Sequence, residues 1–382
     1  MKISKRIECI EPSLTRQLFN KALLYNDVIN LTLGDPDLLP PLNVRNAACK
    51  AIKEGKTRYS ANAGLLSVRQ SVVNNFKKEY GLYASEDNVI MTVGGMEGLY
   101  LAISCLVEKG DEVIIPAPYY VNYVQMVQMN GGIPVLVNGE EKTNFSIDLK
   151  KVEESISKRT IAIIINSPCN PTGAILDSKC LNGIADIAKK HNLLIISDEV
   201  YSSLIYDNKK HKSILSIKGM QERTLLIDSL SKKFSMTGYR CGYALGPIEL
   251  ISNMTKMQEN VAACAPLPSQ YAAIEAYSDN TDTEYILQEF EKRRNILYDG
   301  ISKIDKLSCI KPQGTFYLFV NISKTGLKSL DFANKLLEQQ HVAIVPGVSY
   351  GDYDDYVRIA FTLDESKLIE SVQRINKFVN SL

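Results

Sequence analysis

A series of short, largely apolar runs restricts the fold more than any other feature of this chain. They fall at 89–93, 113–115, 161–165, 193–196 and 225–227 and are rich in Val, Ile and Leu. Each is too short for an ordinary helix, and each gives way abruptly to Gly, Pro or polar residues. The stretches between them carry helical periodicity. From about residue 45 to 275, strand and helix therefore alternate, the pattern of a mostly parallel sheet covered by helices. Open sheets of this kind bind ligands just beyond the carboxyl ends of their strands. The residues that follow each run are the first candidates for chemistry.

At 382 residues the chain exceeds one ordinary core, which suggests a large α/β domain plus a smaller one. The expected division is an N-terminal arm over 1–44, a large domain over 45–275 and a small C-terminal domain over 276–382. With 44 basic and 43 acidic side chains the net charge is +1, so no broad field draws nucleic acid or an anionic membrane. No apolar run approaches the ~20 residues that span a bilayer, and the first residues lack the apolar core of a secretory signal. The eight cysteines are scattered without a Cys-x-x-Cys pair, which argues against zinc and disulfide frameworks and for a reduced cytoplasm. Three histidines, His191, His211 and His341, make a histidine metal site improbable, and no metal is expected.

The run at 225–227 leads into Ser229-Leu230-Ser231-Lys232, and Arg240 follows Lys232 by eight residues. Most lysines are simply solvated. A lysine just past a buried strand is different, because desolvation or nearby positive charge lowers its pKa and frees its amine as a nucleophile. Ser229 and Arg240 can hold a phosphate beside it, arginine through two parallel donors. Together these suggest pyridoxal 5'-phosphate (PLP) attached covalently to Lys232. The run at 193–196 ends in Ser197-Asp198, with Tyr201 close behind. Asp198 reads equally as a helix N-cap or as the partner of a protonated pyridine nitrogen. Gly95 and Met96 stand where a strand meets a helix N-terminus, a ready anion site. Tyr120, after Pro116 and Pro118, is a packing residue or a stacking surface for a flat ring. Asn170 lies in Asn-Pro-Thr-Gly, ordinarily only a turn. Gly34, in Gly-Asp-Pro-Asp, reads as a plain turn or as a close backbone approach to ligand. Arg358 sits inside the apolar stretch 356–361, where a buried guanidinium needs a firm anionic partner unless it faces water.

These motifs, in this order, resemble those of the class I aminotransferases, which are fold-type-I PLP enzymes. The shared elements are Ser-x-Ser-Lys with Arg240, Asn-x-Pro-x-Asn-Pro-Thr-Gly ending at Gly173, Gly-x-Pro-Asp at 34–37 and the segment at 314–317, where Thr315 replaces the alanine of the family's Gly-Ala-Phe-Tyr. The resemblance implies a mostly parallel seven-stranded sheet in a large domain, with a small domain built from both termini. It implies that Lys232 and Asp198 are catalytic, with Tyr201 donating to the cofactor ring. Gly95, Met96, Ser229 and Arg240 would hold the phosphate, Tyr120 would stack on the ring and Asn170 would bond its oxygen. Tyr59 would reach the phosphate of the neighbouring subunit, which implies a homodimer. Gly34, Asn170 and Arg358 would orient an amino acid whose amino group passes to a 2-oxo acid, with 2-oxoglutarate expected. A lyase or cyclase acting on an amino acid is the alternative on this scaffold. Met96 stands where some aspartate-selective bacterial members carry a lysine, which weakens the case for aspartate.

Overall fold

The computed structural model describes residues 4–8, 10 and 12–382. Met1, Lys2, Ile3, Cys9 and Glu11 lie outside the described residues, and with them part of the expected N-terminal arm and one of the eight cysteines.

In chain order the strands are β1 (Ile29–Asn30), β2 (Val89–Thr92), β3 (Glu112–Ala117), β4 (Ile133–Asn138), β5 (Thr160–Asn166), β6 (Leu194–Asp198) and β7 (Thr224–Ser229). They continue with β8 (Gly242–Leu245), β9 (Ser308–Cys309), β10 (Tyr317–Asn321), β11 (Val342–Ala343), β12 (Val345–Pro346) and β13 (Tyr356–Ala360). Seven of them form one sheet in the order β2-β8-β7-β6-β5-β3-β4. Its neighbours pair in parallel except β8, which runs antiparallel to both β2 and β7. A second, antiparallel sheet has the order β12-β13-β10-β9. β1 pairs in parallel with β11, so the start of the chain is bound to its last third.

The apolar runs are continuous because both faces of the large sheet are covered. Side chains alternate between faces along a strand, and the core divides accordingly. Ala162, Ile164, Ile196, Leu225 and Ile227 pack with Leu99, Leu101 and Ile103 of the helix Gly94–Leu106. Ile163, Ile165 and Ile195 face the other way and pack with Ile184, Ala185 and Ala188 of the helix Ser178–His191. By the same parity Asp198 shares the face of Ile196, and Ser229 shares that of Ile227. The strand ends that matter therefore project toward the N-terminus of the Gly94–Leu106 helix.

Two details differ from the sequence reading. The helix after β2 begins at Gly94, ahead of the expected junction at Gly95 and Met96, so both glycines belong to its first turn. β4 was not anticipated: it is an edge strand, half exposed and interrupted by Pro134, so it carries no clean apolar run.

Candidate active site

The carboxyl edge of the large sheet and the second sheet enclose a cavity of about 440 Å³. Among the expected site residues, Gly34, Gly95, Met96, Tyr120, Asn170 and Asp198 line it. Tyr201, Ser229, Lys232, Arg240 and Arg358 do so as well. Tyr59 does not; it is 86% exposed on the surface of the chain.

Ser229 ends β7 and caps the short helix Leu230–Lys233, its Oγ accepting from the Ser231 amide. That turn aims Lys232 into the cavity, where Nζ donates to the Gly34 carbonyl at 2.7 Å and lies 5.3 Å from the centre of the Phe316 ring. Burial lowers the Lys232 pKa to about 8, and the Arg240 and Arg358 charges push the same way against Asp35 and Asp198. Near neutral pH an appreciable fraction of the amine is therefore free of its proton.

Asp198 is 3% exposed. Its carboxylate accepts from the Tyr123 hydroxyl and, at 3.2 Å, from the Val200 amide. Burial pushes its pKa up to about 6, against those two bonds and the Lys232 charge. A cationic nitrogen placed against it would offset that desolvation.

Arg240 closes the far side of the helix turn. Its Nη1 donates to the Thr237 carbonyl at 3.0 Å and its Nη2 lies 3.4 Å from the Val93 carbonyl. A Cβ on Gly94 would stand 2.6 Å from Arg240 Nη2, and Gly94 has a φ of +72°, so only glycine permits this approach. The first amides of the Gly94–Leu106 helix, the Ser229 and Ser231 hydroxyls and Arg240 thus form a cup suited to a phosphate.

Arg358 lies within β13 and is 4% exposed. Its Nη1 donates to Asn170 Oδ1 at 3.1 Å, its Nη2 donates to the Thr32 carbonyl, and its Nε has no partner. The rings of Tyr317 and Tyr350 flank it, with centroids 4.1 and 5.3 Å from Cζ. No carboxylate among the described residues neutralises this buried cation. A planar anion entering the cavity would do so.

The profile of the aminotransferase class I and II family matches residues 26–375. The chain belongs to this family. The aminotransferase is 38% identical to the aspartate aminotransferase of Geobacillus stearothermophilus, over all of both chains. It is 37% identical to aromatic-amino-acid aminotransferase 2 of Thermococcus litoralis, covering 99% of this chain and 98% of that one. Its structure superposes on the Thermus thermophilus aspartate aminotransferase with maleate at a TM-score of 0.95, with 32% identity and complete coverage of both chains. The fold is thus fold-type I and the enzyme is a transaminase, in a family that depends on PLP.

Several residues of the aminotransferase site escaped the sequence reading. Tyr123 bonds Asp198, and its signal was its place one helical turn after Tyr120. Ser231 was visible in Ser-x-Ser-Lys and bonds Ser229 Oγ at 2.9 Å. Tyr317 pairs its hydroxyl with that of Tyr201 at 3.2 Å and covers Arg358. Tyr350, Thr32 and Arg16 gave no signal, since only the packing of distant segments brings them to the cavity.

Proposed function

We propose that this transaminase binds PLP in the cavity described above and moves the amino group of an L-amino acid to 2-oxoglutarate. The observation that carries this reading is the meeting of Lys232, Asp198, Arg240 and Arg358 in one cavity, each in surroundings suited to a different part of the reaction. When bound, PLP supplies an electron sink that stabilises negative charge at the amino acid's α-carbon. The protein's own groups do the rest. Arg240, Ser229, Ser231 and the helix turn at Gly95 and Met96 hold the phosphate. Asp198, held by Tyr123, keeps the ring nitrogen protonated. Asn170 and Tyr201 meet the ring oxygen and Tyr120 covers the ring face. Lys232 attaches the cofactor covalently. Its amine, whose pKa burial lowers to about 8, would take a proton from the α-carbon and hand one back to the cofactor. Arg358, with Asn170 and the backbone at Gly34, clamps the α-carboxylate. That clamp fixes which bond of the α-carbon faces Lys232.

The active unit is proposed to be a cytoplasmic homodimer. Tyr59 is exposed on one protomer, and Leu39, Leu42, Ile52 and Leu66 in the same stretch of chain are exposed too. Among the described residues no helix is long and apolar enough to cross a membrane. The proposed division into arm, large domain and small domain lies near 44 and 275, outside the span of the seven-stranded sheet, 89–245, and of the second sheet, 308–360.

Borohydride reduction of the PLP-loaded protein followed by peptide mapping tests the site, and the label is expected on Lys232. A panel of amino acids with 2-oxoglutarate, followed by the bound cofactor's absorbance, tests the reaction. Pyruvate and ammonia released without an oxo-acid acceptor would refute transamination.

A further inference from the structure

We infer that Arg16 is a specificity residue that binds the side-chain carboxylate of dicarboxylic substrates. The inference rests on the aminotransferase reading and deepens it by naming the substrate class. Four cationic side chains line the cavity, Arg16, Lys232, Arg240 and Arg358, against a single acid, Asp198. Under that reading Lys232 carries the cofactor, Arg240 faces its phosphate, Asp198 faces its ring nitrogen and Arg358 takes the α-carboxylate. One cation is left over, and it is Arg16. A surplus arginine in a cavity that otherwise balances its charges calls for one more anion on the ligand.

The local structure places that anion site beside the α-carboxylate clamp. Arg16 lies in the first turn of the helix Leu14–Ala22, which packs on β11 and β12. Ser13, Thr15 and Arg16 all line the cavity, and Tyr350, which flanks Arg358, lies next to Thr15. The Arg16 guanidinium rests over its own helix neighbour Phe19 at 5.2 Å, with no ion pair among the described residues. Packing against Phe19 leaves the guanidinium's edge available as a fork for a carboxylate. The Ser13 and Thr15 hydroxyls add donors on the same turn. This arrangement serves the role that a lysine at position 96 serves in some relatives. Here Met96 is neutral, and the charge comes from the N-terminal helix instead. An arginine near an exposed mouth still leaves room for an uncharged side chain, so other amino acids are excluded only by the missing attraction.

The test is Arg16→Gln in the PLP-loaded enzyme. Arg16 is exposed, so the substitution leaves the core intact. The kcat/KM for aspartate and glutamate should fall about 10- to 100-fold, the loss expected for one charge-assisted pair. Alanine and phenylalanine should change by less than about twofold, a shift below the weight of a single hydrogen bond. A second measurement avoids turnover: maleate, with two carboxylates and no amino group, is titrated against the bound cofactor's absorbance. Its affinity should drop by the same factor in Arg16→Gln, whereas propanoate binding should not. Equal losses for all amino acids, or no loss for dicarboxylates, would overturn the assignment. If wild-type enzyme transfers no amino group to 2-oxoglutarate, the aminotransferase reading itself fails, and the maleate comparison still decides whether Arg16 binds a second carboxylate.

Discussion

Replacing Arg358 with lysine keeps the positive charge and removes the planar fork. The structure lets the cost be worked out. Arginine spends Nη1 on Asn170 Oδ1 at 3.1 Å and Nη2 on the Thr32 carbonyl, and its Nε is unpartnered. A carboxylate arriving over Tyr317 can therefore meet two donors of one rigid plane while the guanidinium stays tied to the scaffold. Lysine's ammonium is a compact point charge and cannot satisfy Asn170, Thr32 and both carboxylate oxygens from one atom. One charge-assisted bond to substrate is lost, at about 1.5–3 kcal/mol, and one scaffold bond at about 0.5–1.5 kcal/mol. The sum of about 2–4.5 kcal/mol corresponds to a fall in kcat/KM of roughly 30- to 10³-fold, since each ~1.4 kcal/mol is tenfold. The assay is kcat/KM for a series of L-amino acids with acidic, aromatic and aliphatic side chains, together with an amine that lacks the carboxylate. Every amino acid should lose by a similar factor, and the amine should be nearly indifferent. A penalty confined to acidic substrates would mean that Arg358 reads the side chain. No change at all would mean that the carboxylate site lies elsewhere.

Lys232→Ala should retain some cofactor yet lose turnover by at least the ~10²–10⁴-fold typical of a positioned acid–base group, with no label after borohydride reduction. Wild-type turnover would refute the role. Asp198→Asn preserves shape and can keep one of the two accepted bonds, with its amide nitrogen donating to Tyr123, but removes the charge, so PLP should still bind while kcat falls at least ~10-fold, the loss of one charge-assisted bond. Rates equal to wild type would exclude it as the ring's counter-charge. Stability should also depend on pH through Asp228, which bonds the Ser229 amide and Tyr243 and whose pKa burial raises from about 3.8 to about 7. The folded group keeps its proton where the unfolded one has lost it, so its contribution is complete below pH 3.8 and is lost as pH rises through about 7. Urea unfolding between these limits should show that slope, and Asp228→Asn should flatten it; an unchanged slope would place its origin elsewhere.

What could be read in the sequence follows from how buried parallel strands are written. β5, β6 and β7 are continuous apolar runs, so a polar residue at their ends stands out, as Asp198 and Ser229 do, while Asn170 is legible in the Asn-Pro-Thr-Gly turn that follows β5. Lys232 and Arg240 were legible for the same reason, since they follow β7 at a fixed short spacing. Tyr123 was hidden because a tyrosine on a helix facing a sheet looks like packing, and it becomes a site residue only through its bond to Asp198. Tyr350, Thr32 and Arg16 depend on segments far apart in the chain closing over the sheet edge, which no local pattern records. β4 was lost because an edge strand need not be apolar on both faces. Tyr59 is legible only through resemblance, and in one protomer it faces outward.

Several of the polar bonds that join the two halves of the cavity run through expected site residues. Lys232 Nζ holds the Gly34 carbonyl, Arg358 holds Asn170, and Tyr201 meets Tyr317. Lys232, Asn170 and Tyr201 come from the loops and turns that follow the large sheet's strands, whereas Gly34, Thr32, Arg358 and Tyr317 come with β1, β10 and β13. The groups proposed to hold the cofactor are thus bonded directly to those proposed to hold the substrate. A substrate carboxylate that engages Arg358 pulls on the same guanidinium that anchors Asn170. Substrate binding therefore acts on the contacts between the two halves at the positions where chemistry occurs. Substitutions at Asn170 or Gly34 should accordingly disturb cofactor and substrate affinity together, and a variant that changed one without the other would show that the halves are coupled elsewhere.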